Sequence, residues 1–547
     1  MLTLAAARCA AGLSCVRRRT DCAKEHAMKQ RLAVALPLVV IVAGCGTSGA
    51  GADLDGTAGA ESSQTQPVEP QALTDPFFEY DRPAEHEVVS ERVTVPTRDD
   101  HAISCELLRP DTDGEFPGIV YEYTAYADTA EDFAKDARYF VQRGYSALIC
   151  QARGSGESEG ELDPFGPQEQ ADNVDVIEWL AAQEHSTGKI GQMGLSYGGH
   201  TSLLAAVNQP PHLEAIIPIN GLSDWYENTI YRGGIYSPRI GDWQRAVAPQ
   251  TLETYADNPL HNDFWDDRSV ASRWDRLDVP VLEINGWYDR YRDGMVKNHA
   301  AQPESVWMVS GPWEHGYPQD QEEPFDVGAY LAWWDHWLLD DDDAPLPQAK
   351  ITSFELPGGG TGAGWTQFDE WPSSEVADTS YWLDDEGRLS TDAGAEGTLT
   401  YAVNTSEDAS SDDEQIIAAT EPLSEDLVVA GNIQAEIAAT FSSDDGALAV
   451  IVEDVDESGE ATRVTEGWLR ASHRDGHEEL SPVEPGEEYR MTVDVWPTHY
   501  RFAEGHSLQI RIASDDYPEI ESSAPAGDVD IRTGGRGSTI HVPILAD

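Results

Sequence analysis

Basic residues are scarce in this sequence. Its 547 residues include 35 Lys and Arg against 99 Asp and Glu, a formal net charge of −64, and six of the basic residues are lysines. A surface of this sign repels nucleic acids and anionic lipids, so the composition excludes proteins that bind either of them by charge. Because salt screens the repulsion between surface carboxylates, the composition favours a protein adapted to a salty medium.

Cysteine is also rare, with six in the chain. Only Cys105 and Cys150 follow Cys45, both in strand-like segments, and the sequence leaves open whether they are free or paired. No metal-ligand spacing and no glycine-rich phosphate loop occurs, so we expect neither a metal nor another cofactor. There is no internal repeat of the length that solenoids or propellers need.

The apolar run of residues 32–42 is too short to span a bilayer. It follows the basic residues 28–31 and ends in Val42-Ala-Gly-Cys45, a pattern typical of a bacterial secretory signal with a lipobox. We therefore predict that residues 1–45 direct export and that Cys45 carries a lipid anchor, on the periplasmic or outer side of a membrane. The alternatives are an ordinary signal with a chance cysteine and a true start at Met28.

Composition divides the remaining chain into three parts. Residues 46–76 are small and polar, as in a flexible linker. Residues 77–350 alternate predicted strands and helices, which indicates a mainly parallel α/β sheet with helices on both faces. The alternation stops over residues 221–278, which are rich in Trp and Tyr and which we interpret as an inserted helical cap. Residues 351–547 form short alternating strands, as in a β-sandwich.

The segment Gly194-Leu-Ser-Tyr-Gly198 matches the pattern G-x-S-x-G. In a nucleophile elbow, a serine with these neighbours occupies a sharp turn between a strand and a helix, and its hydroxyl is exposed above the sheet. Residues 188–193 resemble a short buried strand and residues 197–207 a buried helix, which is the context that this chemistry requires. We therefore predict that Ser196 is a nucleophile.

Two more polar residues follow predicted buried strands later in the chain, Asp289 and His315. Open α/β sheets place their sites at the carboxyl ends of strands, and the order Ser, Asp, His is that of α/β hydrolases. Asp289 comes directly after its strand, which favours it as the acid over Asp293 and Glu314.

Three other histidines are less suited to act as a base. His200 lies on the helix that follows Ser196 and points away from the nucleophile. His299 and His336 lie in helix-like segments, where packing or surface roles are the simpler interpretation.

These residue types define a chemistry. His315 would take the proton of the Ser196 hydroxyl, and Asp289 would orient the imidazole. The oxyanion of the tetrahedral intermediate needs hydrogen-bond donors, and the backbone N–H of Tyr197 is the first candidate. The second donor must come from the loop after the strand predicted at residues 117–123.

Several short motifs lie around these positions and in the C-terminal half of the chain. They are Thr124-Ala-Tyr126, Arg153-Gly-Ser-Gly-Glu-Ser-Glu-Gly160, Gly286-Trp-Tyr-Asp289, Gly311-Pro-Trp-Glu-His315, Glu466-Gly-Trp-Leu-Arg470 and Phe502-Ala-Glu-Gly-His506. From about residue 86 to its end the chain resembles the CocE/NonD family, the cocaine esterase and X-Pro dipeptidyl-peptidase group of serine hydrolases.

The resemblance implies an α/β-hydrolase domain with a helical cap and a C-terminal jelly-roll sandwich like those of galactose-binding domains. It also implies that the hydroxyl of Tyr126 is the second oxyanion donor. The chain departs from the family pattern at Ala125, where proline is common, and at Gln151, where an aspartate is usual. We interpret Gln151 as a supporting residue near the site.

The resemblance further implies acyl transfer from an ester, an amide or a short peptide to water. We favour an esterase or acylase, with an X-Pro dipeptidyl-peptidase as the alternative. A dipeptidyl-peptidase must bind a free amine, for which Asp224, Glu227 and Asp242 of the cap are candidates. A non-catalytic, surface-anchored binding protein is the rival from a different class, and the intact set of catalytic residues argues against it.

Overall fold

The computed structural model describes residues 71–126, 130–359, 364–404 and 414–546. The predicted signal segment, Cys45 and most of the predicted linker lie outside the described residues. None of the helices in these ranges combines the length and the apolar character that a membrane-spanning segment needs.

The N-terminal two thirds of the described chain alternate strands with helices. The strands are β1 (Val88–Pro96), β2 (Ala102–Pro110), β3 (Phe116–Thr124), β4 (Ser146–Gln151), β5 (Ser186–Leu195), β6 (Leu213–Ile219), β7 (Tyr231–Arg232), β8 (Ile235–Tyr236), β9 (Val281–Gly286), β10 (Val306–Gly311), β11 (Ile351–Pro357) and β12 (Gly364–Phe368). The helices are α1 (Ala130–Val141), α2 (Pro167–Ala181), α3 (Tyr197–Asn208), α4 (Pro238–Val247), α5 (Thr251–Ala256), α6 (Asp263–Asp266), α7 (Arg292–Ala301) and α8 (Gly328–Leu338).

The central sheet has the strand order β1-β2-β4-β3-β5-β6-β9-β10-β11-β12. The strands from β4 to β11 in this order pair in parallel, and β1, β2 and β12 pair antiparallel at the two edges. Parallel strands are covered on both faces, which explains why β3, β6 and β9 are almost continuously buried. The predicted mainly parallel α/β sheet is confirmed, and its N-terminal edge is an antiparallel hairpin of β1 and β2.

A disulfide joins two neighbouring strands near one edge of this sheet. Cys105 on β2 and Cys150 on β4 are direct neighbours in the antiparallel register, and their sulfurs are bonded. Both side chains are buried. The pairing that the sequence left open is therefore a disulfide within the sheet.

The segment between β6 and β9 interrupts the alternation, as predicted. It contains a one-turn π-helix at Tyr226–Ile230, the short hairpin β7–β8 and the helices α4, α5 and α6. Its aromatic residues are mostly buried and pack together, with Trp225, Tyr226, Tyr255 and Trp265 at most 3% exposed. That this segment acts as a cap remains a prediction from the resemblance.

The C-terminal third is built from strands, as predicted. They are β13 (Val376–Leu383), β14 (Leu389–Ser390), β15 (Thr398–Ala402), β16 (Ile416–Ala419), β17 (Leu427–Phe441), β18 (Ala447–Val455), β19 (Ala461–Arg470), β20 (Glu488–Phe502), β21 (Ser507–Ala513), β22 (Asp528–Arg532) and β23 (Thr539–Leu545). One sheet contains β16, β21, β18 and β19. The other is organised around β17, which pairs antiparallel with β20 on one side and with β22 and β23 on the other. The jelly-roll connectivity remains a prediction.

One strand connects the central sheet to the C-terminal β-rich region. Residues 351–353 of β11 pair in parallel with β10 in the central sheet, and Leu356 and Pro357 pair in parallel with Tyr500 and Arg501 of β20. The central sheet therefore continues past residue 350 and joins the C-terminal β-rich region through β11.

Candidate active site

Ser196 lies at the turn between β5 and α3. Its backbone has φ 60° and ψ −107°, a conformation that costs a residue with a side chain about 1–3 kcal/mol. Glycines flank the turn because there is no room for a Cβ atom, and at Gly198 a Cβ would collide with the carboxylate of Glu122. The predicted strand, elbow and helix are thus all present, and the strained residue is the serine.

Glu122 supports this elbow from below, although no pattern in the sequence singles it out. Its side chain on β3 is fully buried, and Oε1 accepts the Leu195 N–H at 2.7 Å and the Tyr317 O–H at 3.0 Å. Burial raises the pKa of Glu122 to about 8. One carboxyl group therefore joins β3, the residue before Ser196 and the loop that follows β10.

The pKa of Glu122 makes stability depend on pH. Its folded value of about 8 lies above the ordinary value of about 4.3, so between these pH values the unfolded chain binds fewer protons. The free energy of unfolding must then fall as pH rises through this window, by on the order of 2–4 kcal/mol for this group. We expect Glu122→Gln to remove that part of the fall between pH 5 and pH 8, as measured by urea unfolding.

Glu283 provides a matched control for that measurement. It is another fully buried strand carboxyl whose pKa burial raises to about 8, and it accepts a hydrogen bond from Asn298 at 3.0 Å. Glu283→Gln should flatten the pH dependence of stability in the same way. A Glu122→Gln curve that keeps the wild-type slope would contradict the assignment of a neutral carboxyl at Glu122.

Asp289 and His315 meet above the ends of β9 and β10. Asp289 Oδ2 lies 2.5 Å from His315 Nδ1, and Asp289 Oδ1 accepts the Tyr291 N–H at 2.7 Å. The Asp289 side chain is fully buried, whereas that of His315 is 36% exposed. The end of β9 packs closely against the loop after β10, so that a Cβ at Gly286 would collide with the carbonyl oxygen of Trp313. The structure thus gives His315 one buried carboxylate partner.

The competing residues lie elsewhere or have other partners. Asp293 binds Lys297 at 2.9 Å and accepts a hydrogen bond from Asn228, and Glu314 is exposed. Each of the other three histidines faces a backbone carbonyl: Nε2 of His200 faces Arg268 O, and Nδ1 of His299 and His336 face Val306 O and Ala344 O. These contacts agree with packing roles for the three histidines.

Ser196 and His315 line the same cavity, which has a volume of about 260 Å³. Its walls are mostly aromatic and apolar and are formed by Tyr126, Phe165, Ser196, Tyr197, Leu222, Trp225, Arg239, Ile240, Trp243, Arg290, Tyr291 and His315. Among the described residues, no hydrogen bond joins the Ser196 hydroxyl to the His315 ring. Such contacts often tighten only when substrate binds.

The two predicted oxyanion donors also lie at this cavity. Tyr197 is the first residue of α3, where backbone N–H groups have no partner within the helix. The Tyr126 hydroxyl oxygen accepts the indole N–H of Trp243 at 2.8 Å. Burial raises the pKa of Tyr126, and the hydrogen bond from Trp243 opposes that rise. Trp243 lies on α4 of the inserted segment, and no pattern in the sequence predicts this contact.

The side chain of Tyr197 is held from the other side. Its hydroxyl donates to Glu169 Oε2 at 2.7 Å, and burial raises the pKa of Glu169 to about 8. Gln151, at the position where the family usually has aspartate, accepts the N–H of Glu157 at 2.7 Å and so braces the loop of residues 153–160. It does not line the cavity.

None of the three candidate amine-binding carboxylates lines the cavity. Asp224 accepts the backbone N–H groups of Tyr226 and Glu227 and lies 3.3 Å from His261. Glu227 binds Lys297 at 3.1 Å, and Asp242 binds Arg245 at 2.6 Å on the exposed side of α4. Nor do the described residues contain a group of three or more His, Cys, Asp or Glu that could hold a metal ion.

Two family models match most of the chain. The model for X-Pro dipeptidyl-peptidase of the S15 family matches residues 99–248 and 236–317. The model for the X-Pro dipeptidyl-peptidase C-terminal non-catalytic domain matches residues 348–541.

Individual relatives agree with these matches. The chain is 23% identical to cocaine esterase from Rhodococcus over 81% of its own length and 93% of the relative's, and 20% identical to Xaa-Pro dipeptidyl-peptidase from Lacticaseibacillus rhamnosus over 73% and 62%. A CocE/NonD family hydrolase from Staphylococcus aureus has the same fold, with a TM-score of 0.75, 21% identity and coverage of 84% of this chain and 94% of that one. The chain belongs to the CocE/NonD group of hydrolases, which unites cocaine esterase and the S15 X-Pro dipeptidyl-peptidases.

Proposed function

We propose that this protein hydrolyses ester or amide bonds by covalent catalysis, with Ser196 as nucleophile, His315 as general base and Asp289 as its buried partner. The observation that carries the proposal is the 2.5 Å contact between Asp289 Oδ2 and His315 Nδ1 beside a strained elbow serine in one cavity. Among the described residues that line the cavity, no other pair combines a nucleophile and a base.

The buried carboxylate determines the tautomer of the histidine. An ionised carboxylate only accepts hydrogen bonds, so His315 Nδ1 must carry the proton in this contact. Nε2 then holds the lone pair that removes the proton from the Ser196 hydroxyl as its oxygen attacks the substrate carbonyl. The imidazolium that forms is stabilised by Asp289 and returns the proton to the leaving group.

The negative charge that develops on the carbonyl oxygen needs preorganised donors. The Tyr197 N–H at the start of α3 adds the positive end of the helix dipole, and the Tyr126 hydroxyl is the second donor in this proposal. Trp243 holds the Tyr126 oxygen in place from α4 and, by donating to that oxygen, strengthens the O–H as a donor. After the leaving group departs, His315 takes a proton from a water molecule as that water attacks the acyl-serine. His315 then returns the proton to Ser196, which frees the acid product.

The substrate is better described as an ester or amide than as an amine-bearing peptide. A free α-amine requires a carboxylate partner, and no Asp or Glu lines the cavity among the described residues. This favours an esterase or acylase over an X-Pro dipeptidyl-peptidase.

Covalent labelling tests the proposal. A fluorophosphonate reacts with an activated serine, so we expect stoichiometric labelling of the purified protein at Ser196, located by peptide mass spectrometry. Ser196→Ala should remain unlabelled, and heat-unfolded protein serves as the control for nonspecific reaction. A folded protein that does not label would support the rival interpretation of a non-catalytic binding protein.

We also propose that the protein is exported and anchored through Cys45. The Cys105–Cys150 disulfide supports export, because such bonds persist in oxidising compartments. In the native host we expect the protein in the membrane fraction and Cys45→Ser in the soluble fraction. Equal partitioning of the two proteins would argue against a lipid at Cys45.

A further inference from the structure

The charged residues that line the catalytic cavity are basic, whereas the protein as a whole is strongly acidic. In a chain with 99 acidic and 35 basic residues, two arginines line the cavity, and no carboxylate does so among the described residues. These are Arg239, on α4 of the inserted segment, and Arg290, directly after Asp289.

Arg290 has no ion-pair partner in the part of the chain that the structure describes. Arg292, two residues later in the sequence, does have such partners. Arg292 is buried and donates to Glu466 at 3.0 Å, to Thr465 at 3.1 Å and to the Asp289 carbonyl at 3.0 Å. Arg292 is thus committed to the structure, whereas the half-buried Arg290 lines the cavity without such contacts among the described residues.

Arg239 is partly committed. It binds Glu519 at 2.7 Å, but that carboxylate is shared with the buried Arg232 at 2.9 Å. Both Arg239 and Arg290 also line a second cavity of about 250 Å³ that adjoins the first at His315. That outer cavity contains carboxylates, but Glu519 and Glu466 are each held by two arginines, and Glu314 is exposed.

We propose that the substrate carries a carboxylate, which Arg290 binds with help from Arg239. The inference rests on the proposed hydrolase function and specifies its substrate class. A guanidinium matches a carboxylate through two parallel hydrogen bonds, and the apolar walls of the cavity strengthen that interaction. Placed beside His315, the two arginines fix a charged end of the substrate while its ester or amide carbonyl reaches Ser196.

The acidic exterior does not oppose this assignment. In strong salt the Debye length falls to about 3 Å, so the distant surface carboxylates no longer repel an anion approaching the cavity. Direct contact with the half-buried guanidinium is screened much less.

Matched substrates test the proposal. In one pair, monoethyl adipate is compared with the ethyl ester whose far carboxylate is replaced by a carboxamide, which places the charge on the acyl side. In the other, the butyrate ester of 3-hydroxybenzoate is compared with that of 3-hydroxybenzamide, which places it on the leaving group. We expect kcat/KM to favour the carboxylate in one pair by about 10-fold or more, in 1 M salt.

Variants connect that preference to the arginines. Arg290→Gln should reduce the carboxylate-to-carboxamide ratio of kcat/KM by about 10- to 100-fold, the range for a charge-assisted hydrogen-bonded pair. Arg290→Lys should restore part of the ratio, and Arg239→Gln should have a smaller effect. Arg245→Gln removes a positive charge from the exposed side of the same helix α4 and should leave the ratio unchanged.

A binding measurement separates this proposal from the proposed hydrolysis. Adipate, but not adipamide, should bind the full chain in calorimetry, and Arg290→Gln should abolish the difference. Equal binding of the two, or a carboxamide preference in both substrate pairs, would overturn the proposal. If the carboxamide esters are then still hydrolysed by wild-type protein and not by Ser196→Ala, the hydrolase function stands without the anion site.

Discussion

Replacing Asp289 by asparagine should lower kcat for ester hydrolysis by about 10⁴-fold, because the amide favours the wrong tautomer of the histidine. In the native protein, Oδ2 accepts from His315 Nδ1 at 2.5 Å and Oδ1 accepts the Tyr291 N–H. An asparagine keeps its carbonyl on the Tyr291 N–H and turns its NH₂ group toward the ring. His315 Nδ1 must then accept, and Nε2 becomes protonated and cannot serve as a base.

The matched control for Asp289→Asn is Glu314→Gln. Glu314 precedes His315 in sequence, is exposed and forms no ion pair with the ring among the described residues. We expect its kcat to stay within a few-fold of wild type. Initial rates with a p-nitrophenyl ester measure both variants, and circular dichroism verifies that they are folded. Similar losses in the two variants would mean that Asp289 is not the specific partner of His315.

The second large effect concerns Tyr126. Tyr126→Phe should lower kcat by about 10²- to 10³-fold with little change in KM, because an oxyanion donor acts mainly in the transition state. The ring keeps its place beside Tyr197, whose ring centroid lies 5.7 Å away, so the change removes the hydroxyl alone. Trp243→Phe removes the N–H that holds this hydroxyl and should produce a smaller loss, of about 10-fold.

The chain contains a control with the same chemistry. The Trp225 indole N–H donates to the Tyr255 hydroxyl at 3.1 Å, in the same aromatic region, but Tyr255 does not line the cavity. Tyr255→Phe should therefore leave kcat near the wild-type value. If Tyr126→Phe also kept wild-type kcat, the second oxyanion donor would have to be another group.

The positions of the candidate catalytic residues were predictable because they depend on local sequence and on sheet topology. The glycines around Ser196 indicate a turn with no room for side chains. Parallel strands place the residues that directly follow each strand at the same edge of the sheet. Asp289 and His315 could be assigned for that second reason. Tyr126 rested on the family resemblance, and it does line the cavity with Ser196.

The supporting residues were not predictable, and the reasons are physical. Glu122 sits between two tyrosines in a strand, where a glutamate is normally taken to face solvent, and only the packed sheet shows that it is buried. Arg290 and Arg292 are two residues apart, and nothing local tells which one the C-terminal region binds. Trp243 lies in the inserted segment, where the regular alternation of strands and helices gives no guide to position.

The strand shared by the two sheets affects how the molecule comes apart. Since β11 pairs with β10 at one end and with β20 at the other, separating the central sheet from the C-terminal region would break one of these pairings and leave unpaired strand edges. Arg292, the first residue of α7, adds a second connection through its hydrogen bond to Glu466 of β19. The central sheet and the C-terminal region should therefore unfold as one cooperative unit. Substitutions that destabilise the C-terminal region should consequently also reduce catalysis.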